Sequence, residues 1–347
     1  MMIINAMTID LEDYFQVQAF SDVVRYENWD KNESRVERNT YRILEIFADP
    51  SKLRTPNSEP SSSNFEHRTL NVEHKTPVKA TFFCLGWIAE RYPHLIREIQ
   101  AHGHEIACHG YAHRLIYQQT KEEFKEDIHK AKGILEEITG REVVGYRAPS
   151  YSITSASTWA LDVLMKEGFK YDSSIFPIRH DFYGMPEAPR FPFLVLLNGS
   201  GTLDFLPLDY PNTSEGNKLN FKNKPPVFII EFPLTTSPFG RFNLPMAGGG
   251  YFRLFPYLFF KNRLTRINKL EGQPFIFYLH PWEVDADQPR IRGAGLKSRF
   301  RHYRNLEKTE GRLRRLLKDF SFAPLKDLLP ISSAISETQA QGACHDV

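Results

Sequence analysis

Two short clusters of ionisable residues have the spacing of a metal site. His109 and His113 lie four positions apart after an apolar segment, so on a helical turn both imidazoles would face the same side. The acids of Asp10-Leu-Glu-Asp13 follow the first apolar segment, and a nearby cation would relieve their mutual repulsion. Two histidines and one carboxylate leave open coordination positions, which is typical of a hydrolytic metal site. The sequence therefore predicts one divalent metal ion, with a second acid close enough to take a proton from water.

Four further polar clusters each follow a segment that is apolar enough to be a buried strand. They are Arg147-Ala-Pro149, Asp172-Ser-Ser174, Glu231-Phe-Pro233 and Leu279-His280. His280 could act as a general acid because a histidine pKa of about 6.5 allows both charge states near neutrality. Arg147 could orient an acid, and Asp172 could fix either Arg147 or a ring nitrogen of His280. In a parallel α/β barrel all strands end at one rim, so we expect the six clusters to converge.

The elements that must position these clusters alternate between short apolar strands and helices. The predicted strands are Ile3–Ile9, Val78–Leu85, Glu105–Cys108, Val143–Tyr146, Lys170–Tyr171, Leu203–Leu206, Val227–Glu231 and Pro274–Leu279. The predicted helices are Val36–Phe47, Trp87–Ala101, Ser155–Glu167, Asn305–Phe320 and one that follows the capping box of Thr120 and Glu123 and stops at Gly140. This alternation predicts the α/β class with a mainly parallel sheet, either a barrel or a doubly wound sheet.

Composition and charge exclude several classes of protein. The 347 residues are 41% hydrophobic, enough for a large core, and 44 basic against 42 acidic residues give no global field for nucleic acid or an anionic membrane. The three cysteines predict no disulfide framework. Without a basic leader or an apolar run that could span a bilayer, the expected location is the cytoplasm. Basic residues concentrate between Arg290 and Lys318, which indicates a solvated helix face or else a docking patch for an acidic polymer or a membrane surface.

The clusters, in their order along the chain, resemble the five motifs of the polysaccharide deacetylase family, the NodB-homology carbohydrate esterases. The matching positions are Thr8-Ile-Asp-Leu-Glu-Asp13, His109-Gly-Tyr-Ala-His113, Arg147-Ala-Pro149, Asp172-Ser-Ser174 and Leu279-His280. Three further phrases resemble a subgroup encoded with bacterial exopolysaccharide and exosortase systems, namely Asp10-Leu-Glu-Asp-Tyr-Phe15, Gly248-Gly-Gly-Tyr-Phe252 and His280-Pro-Trp-Glu283. The resemblance runs from Thr8 to about Glu283.

The resemblance implies a distorted (β/α)7-type barrel, a bound divalent ion that is often zinc, and removal of acetyl groups from N-acetylated sugars. The roles implied by position are general base for Asp10, metal ligands for His109 and His113, orientation of Asp10 for Arg147, general acid for His280, and support of that acid for Asp172. Tyr111, Pro149 and Trp282 are assigned to substrate binding, with the Tyr111 backbone N–H stabilising the oxyanion of the reaction.

One position departs from the family pattern of two adjacent aspartates. Leu11 follows Asp10, so the carboxylate ligand of the metal must be Glu12 or Asp13. Aspartate is the usual ligand type and favours Asp13, whereas the period of two in a strand favours Glu12, which shares a side with Asp10. The sequence leaves both open.

The predicted organisation is a barrel over residues 1–285 with a flexible insertion at 51–77, a C-terminal helical extension at 286–330 packed on the barrel, and a disordered tail at 331–347. The predicted function is metal-dependent N-deacetylation of a bacterial exopolysaccharide or its precursor, with N-acetylated oligo- or polysaccharide as partner and with association with membrane-bound synthesis machinery as an option. The alternatives are a hydrolase of another small or cyclic amide on the same barrel, and an inactive carbohydrate-binding or scaffold protein. The oligomeric state is left open.

Overall fold

The structure is a computed structural model that describes residues 3–51, 77–180, 182–197, 202–208 and 227–329. Its strands are β1 (Ile4–Leu11), β2 (Thr81–Cys84), β3 (Glu105–Cys108), β4 (Gly145–Tyr146), β5 (Tyr171–Asp172), β6 (Phe193–Leu197), β7 (Leu203–Pro207), β8 (Phe228–Glu231), β9 (Thr236–Phe239), β10 (Phe242–Pro245), β11 (Ile276–Leu279) and β12 (Ser321–Ala323). Its helices are α1 (Val36–Ala48), α2 (Gly86–Arg91), α3 (Pro93–Ala101), α4 (Lys121–Thr139), α5 (Trp159–Lys166), α6 (Gly249–Leu254), α7 (Tyr257–Leu270), α8 (Leu296–Tyr303) and α9 (Leu306–Asp319). The predicted tail and nearly all of the predicted insertion lie outside the described residues.

Parallel strands form the core of the fold, in the order β11-β1-β2-β3-β4-β5-β8. The predicted α/β class with a parallel-sheet core is confirmed. Strands β1, β2 and β3 are almost wholly buried on both faces, which explains their continuous apolar runs. Helices α1 to α5 lie between successive strands along the chain, as βαβ connections require.

The two ends of this sheet are joined by the segment that follows β8. The Thr235 hydroxyl donates to the Ile276 carbonyl at 2.8 Å and accepts from the Ile276 N–H at 2.6 Å. Farther along, Gly248 bridges to Tyr278, and a Cβ on Gly248 would lie 2.0 Å from the Tyr278 carbonyl oxygen. Only glycine therefore fits where this segment passes β11. The ring of seven parallel strands is closed by side-chain and single backbone contacts instead of a full ladder.

The sequence-based prediction differs from the structure mainly at the outer strands of the sheet. Leu203–Leu206 is a strand as predicted, but β7 pairs antiparallel with β6, which in turn pairs antiparallel with β8. β12 pairs in parallel with β1, so the C-terminal region contributes a strand to the barrel. Neither β6 nor β12 was predicted. The predicted domain boundary at residue 285 stays a prediction.

Helix ends follow local chemistry. Thr120 and Glu123 form the predicted capping box of α4, and Gly140 ends the helix in the left-handed conformation at φ 62°. The single helix predicted over Trp87–Ala101 is instead two, α2 and α3, because Pro93 lacks a backbone N–H and begins a new helix. Within the described ranges, the helices lack the length and apolar composition that crossing a bilayer requires.

Candidate active site

The polar clusters lie at the carboxyl ends of the parallel strands, where the ladder register aligns them. Asp10 pairs with Phe83 near the end of β2, Cys108 with Tyr146, and Tyr146 with Asp172. His109, Arg147 and His280 are the residues that directly follow β3, β4 and β11. The expected convergence on one rim is therefore present in the structure.

Glu12, His109 and His113 form a buried group whose ligand atoms all lie within 4.8 Å of one another. Oε2 of Glu12 lies 2.9 Å from Nε2 of His113 and has no hydrogen bond within the described residues. Nδ1 of His109 lies 2.7 Å from the Arg147 carbonyl oxygen and donates to it, which leaves its Nε2 lone pair for a cation. Burial lowers the pKa of His109 to about 4, so the ring is neutral at pH 7. Two imidazole nitrogens and one carboxylate fit a zinc-type divalent ion.

The two histidines are brought together by a loop and not by the predicted helical turn. Gly110 has φ 73° and His113 has φ 53°, so both residues adopt a left-handed backbone conformation. A side chain at Gly110 would also meet Oδ2 of Asp127 at 2.8 Å. A non-glycine residue such as His113 in this region is strained, and such strain is frequent at ligand sites.

Asp13 is not part of this group, which corrects the preference for it that residue type suggested. Its Oδ2 accepts hydrogen bonds from the Ser34 hydroxyl at 2.9 Å, the Arg35 N–H at 2.7 Å and the Val36 N–H at 3.0 Å. Asp13 therefore satisfies free N–H groups at the start of α1. Burial raises its pKa to about 6, against the opposing effect of these hydrogen bonds. The alternation along β1 turns Glu12 toward the histidines.

Asp10 is held by Arg147, which is fully buried. Nη1 of Arg147 donates to Oδ1 of Asp10 at 2.7 Å and to the Thr8 hydroxyl at 2.8 Å. The other guanidinium nitrogens donate to the carbonyl and the hydroxyl of Ser173 at 2.9 and 2.8 Å. Burial alone would raise the pKa of Asp10, but the charges of Arg147, His109 and His280 outweigh it and lower that pKa. Asp10 is thus an ionised carboxylate in a fixed orientation.

Tyr151 is a further contact of Asp10 that the sequence analysis missed. Its hydroxyl donates to Oδ2 of Asp10 at 3.2 Å, and its ring packs edge-on against Tyr278. Ser150 and Tyr151 both have positive φ, 51° and 55°, in the turn that Pro149 begins. The available indication was an aromatic residue two positions after the Arg147-Ala-Pro149 motif.

His280 faces Glu12 from the side opposite to His113. Its Nε2 lies 3.2 Å from Oε1 of Glu12 and 3.9 Å from Oδ2 of Asp10. Burial favours the neutral ring, but the carboxylates of Glu12, Glu283 and Asp10 outweigh it and raise the pKa of His280 to about 9. His280 can therefore carry a proton on Nε2 at neutral pH.

Glu283, and not Asp172, supports His280. Its Oε1 lies 2.7 Å from Nδ1 of His280 and also accepts from the His280 backbone N–H at 3.1 Å. Its Oε2 accepts from Nε of Arg253 at 2.6 Å, and both side chains are almost completely buried. Arg253 in turn donates to the carbonyls of His302 and Arg304, at 2.7 and 2.8 Å. His280 is thus fixed to the C-terminal helices through two charged side chains.

Trp282 lies behind the site and is not an open platform for a sugar. Only 4% of its surface is exposed, and its ring is stacked between those of His280 and His302, at 5.1 and 4.1 Å. Its indole N–H donates to Oε1 of Glu12 at 3.4 Å. The prediction that Trp282 binds substrate is therefore corrected, because both faces of the ring are already covered.

Asp172 and Glu231 are register partners on β5 and β8 and are fully buried. Oδ1 of Asp172 accepts from the Ser174 hydroxyl at 2.5 Å, and Oε1 of Glu231 accepts from the Ile175 N–H at 2.8 Å. Burial raises the pKa of Asp172 to about 6, and burial together with the Asp172 charge raises that of Glu231 well above its usual value. The structure does not bring this pair to His280. The two carboxyl groups instead fix the loop that carries Ser173, whose carbonyl and hydroxyl accept hydrogen bonds from Arg147.

The Tyr111 backbone N–H is not free to stabilise an oxyanion, contrary to the prediction. It donates to Oδ2 of Asp127 at 2.8 Å, and the phenol hydroxyl donates to Glu90 at 2.7 Å. The Lys130 ammonium lies 3.5 Å from the centre of the ring. Tyr111 therefore fastens the histidine loop to α2 and α4, while Pro149 is buried at the first position of its turn.

Two family models match different parts of this chain. Residues 55–171 match the family Polysaccharide deacetylase, and residues 208–330 match a domain of unknown function, DUF3473. The first match includes His109, His113 and Arg147, and the second includes His280 and Glu283. The two sides of the candidate site therefore fall in separately matched regions.

Two curated relatives each match about a third of this chain. Peptidoglycan deacetylase of Helicobacter pylori is 30% identical over 115 residues, which cover 33% of this chain and 38% of that protein. Chitooligosaccharide deacetylase of Azorhizobium caulinodans is 35% identical over 117 residues, which cover 33% of this chain and 52% of that protein. This chain thus spans about half or less of the length of these two relatives. A crystal structure of a "putative polysaccharide deacetylase" from Mycobacterium smegmatis superposes with a TM-score of 0.51 over 97% of this chain and 90% of that one; at 16% identity this supports the fold alone.

Proposed function

We propose that this chain, whose residues 55–171 match the polysaccharide deacetylase family, is a metal-dependent amide hydrolase that removes acetyl groups from N-acetylated sugars. One observation carries the proposal. Glu12 lies between His113 at 2.9 Å and His280 at 3.2 Å, with Asp10 on the same rim. A ligand group, a carboxylate base and a protonated histidine are the three parts that hydrolysis of an acetamide needs.

We assign Glu12, His109 and His113 as the residues that would hold a divalent cation. When bound there, such an ion would supply Lewis acidity toward water and toward the acetamide carbonyl. The neutral state of His109 and the unpaired Oε2 of Glu12 support this ligand set. The identity of the metal stays a prediction, and zinc fits the donor atoms.

We assign Asp10 as the general base. It stays ionised because of the Arg147 charge, and the hydrogen bonds from Arg147 and Tyr151 fix both of its oxygens. Asp10 would take a proton from the attacking water, so that the water oxygen can add to the acetamide carbon. A base that is already oriented loses less entropy on reaching the reactive geometry, and this contributes to the rate enhancement.

We assign His280 as the general acid. As the C–N bond breaks, Nε2 would give its proton to the departing amine nitrogen, and acetate and a free amino sugar would result. Glu283 accepts from Nδ1, so the proton-bearing Nε2 points into the site. Positioning of the acid by Glu283 takes the place of the Asp172 support that the family resemblance implies.

We further propose that the substrate is a bacterial exopolysaccharide or its precursor. The support is the resemblance of three phrases to the exopolysaccharide subgroup, and one of them includes Glu283. Another, Gly248-Gly-Gly-Tyr-Phe252, includes the glycine whose missing side chain lets the chain pass β11. The location of the chain in the cell stays a prediction.

The test is to measure metal content, together with acetate release from N-acetylated oligosaccharides, for the wild type and for His109→Ala. We expect stoichiometric metal and acetate release in the wild type and the loss of both in the variant. His129→Ala is the matched control because that ring is on the exposed face of α4, with 79% of its side chain exposed. Metal without acetate release would favour a different amide substrate or an inactive scaffold, and full activity in His109→Ala would refute the assignment.

A further inference from the structure

Helix α8 has two faces of different character. Its buried face carries His302, whose ring stacks on Trp282 at 4.1 Å, while the Tyr303 hydroxyl accepts from the Ile291 N–H at 2.8 Å. On its outer face, Leu296 is 84% exposed and Phe300 is 55% exposed. Residues four apart lie on the same side of a helix, so these two form one apolar stripe that points away from the protein.

Positive charge surrounds this stripe. Residues 290–304 include six basic and no acidic residues, although the whole chain has a formal net charge of only +2. All six basic side chains are exposed: Arg290, Arg292, Lys297, Arg299, Arg301 and Arg304. Within the described ranges none of these six side chains forms an ion pair, whereas Arg314 of neighbouring α9 pairs with Glu310. Their charge is therefore available to an external anion.

We propose that α8 and the turn before it form a docking surface for a membrane leaflet that exposes anionic phospholipid headgroups. A short helix with exposed Leu and Phe and a rim of Lys and Arg is suited to lie in the interface, with its apolar residues at the acyl boundary and its cations among the headgroups. A water-soluble acidic polymer would attract the same cations but would leave Leu296 and Phe300 in water. The exposed apolar pair is what selects a lipid surface over a polyanion.

The surface lies next to the candidate active site. Trp282 is the single ring between His302 on the inner face of α8 and His280 on the rim. Docking through the outer face of α8 would therefore hold the site close to the lipid. The inference does not depend on the proposed reaction, because it uses only the exposure and charge of this helix.

The experiment is co-sedimentation of the full chain with vesicles of equal parts phosphatidylglycerol and phosphatidylcholine, with pure phosphatidylcholine as reference. The charge variant is Lys297→Glu with Arg299→Glu, and the apolar variant is Leu296→Ser with Phe300→Ser. The matched control is Arg266→Glu with Lys269→Glu and Leu270→Ser on α7, where two exposed basic residues also accompany an exposed leucine. Thermal melting of each variant verifies that it folds.

We expect the wild type and the α7 control to bind anionic vesicles and not neutral ones. Each cation near an anionic surface contributes roughly fivefold, so the loss of two cations should weaken binding by about 30-fold, and the two added carboxylates should weaken it further. The apolar variant should also lose most of its binding. Absence of wild-type binding would overturn the proposal. Equal weakening by the α7 control would overturn it as well, and so would binding that is unaffected by Leu296→Ser with Phe300→Ser, which would indicate a polyanion surface.

Discussion

The two sides of the rim are built by different means. On the side of β1 and β3, His109 is fixed by a backbone carbonyl of the neighbouring segment, and its pKa is lowered to about 4 by burial. On the side of β11, His280 is fixed by the side chains of Glu283 and Arg253, and nearby carboxylates raise its pKa to about 9 despite burial. The pKa values of these two buried histidines are therefore shifted in opposite directions, as the proposed roles of cation ligand and proton donor require.

The two sides also differ in how far along the chain their supporting residues lie. The metal side needs Glu12 and His109, which directly follow their strands, and the short loop after β3 that places His113. The acid side depends on α6, which carries Arg253, and on the helical segment whose carbonyls Arg253 binds. Changes on the two sides should therefore differ in kind, and the predictions below are ordered from the largest effect to the smallest.

The largest effect is expected for Glu12→Gln. An amide is a poor ligand for the cation, so we expect loss of stoichiometric metal and a fall in acetate release of more than about 100-fold, since changes to outer-shell partners alone cost 10–100-fold. Metal analysis and an acetate assay measure the two quantities together. Retention of metal and activity would show that Glu12 is not the carboxylate ligand.

A smaller and different effect is expected for Glu283→Gln. The amide can still accept from Nδ1 of His280, but the charge that balances Arg253 is lost, so we expect kcat to fall by about 10–100-fold. Glu283 is completely buried, so KM and metal content should stay near their wild-type values.

Glu271→Gln is the control for this variant, because Glu271 forms a partly exposed ion pair with Arg190 at 2.8 Å. Loss of metal in Glu283→Gln would show that Glu283 also supports the metal ligands, and an unchanged kcat would show that it does not position His280. Glu283→Asp should restore part of kcat, since it returns the charge.

The buried pair of Asp172 and Glu231 predicts how stability depends on pH. Both folded-state pKa values lie above the unfolded ones, so the stabilising protonated forms are fully present below the unfolded values. That stability is lost as pH rises through a pKa of about 6 for Asp172 and through the raised pKa of Glu231. Over that interval the wild type should lose ~1.4 kcal/mol of stability per pH unit for each proton released. Glu231→Gln should flatten this slope in urea unfolding measured from pH 5 to pH 7. An equally steep slope in the variant would place the titration elsewhere.

The smallest effect is expected for Asp13→Asn. Its carboxylate accepts from two backbone N–H groups at the start of α1, so its replacement should lower the free energy of unfolding by about 1 kcal/mol. Metal content and acetate release should not change. Measured beside Glu12→Gln, this variant decides between the two acids, and loss of metal in Asp13→Asn would reverse the assignment.

The sequence predicted the parallel core and the positions of Asp10, Arg147, His109, His113 and His280, because these residues stand at strand ends that an apolar run identifies. It could not choose between Glu12 and Asp13, since both follow the same strand and only α1 reveals what Asp13 binds. The role of Glu283 was also missed. Its spacing of three from His280 was visible, but no sequence pattern pairs Glu283 with Arg253, which lies 30 positions earlier.

The most direct test of the central claim is acetate release by the wild type from N-acetylated oligosaccharides, measured before chelation, after chelation, and after zinc is added back. The account predicts release that is lost with the metal and restored by it, because Glu12, His109 and His113 would hold the ion on which the reaction depends. Release that persists unchanged in the fully chelated protein, or no release from the zinc-loaded protein, would contradict it.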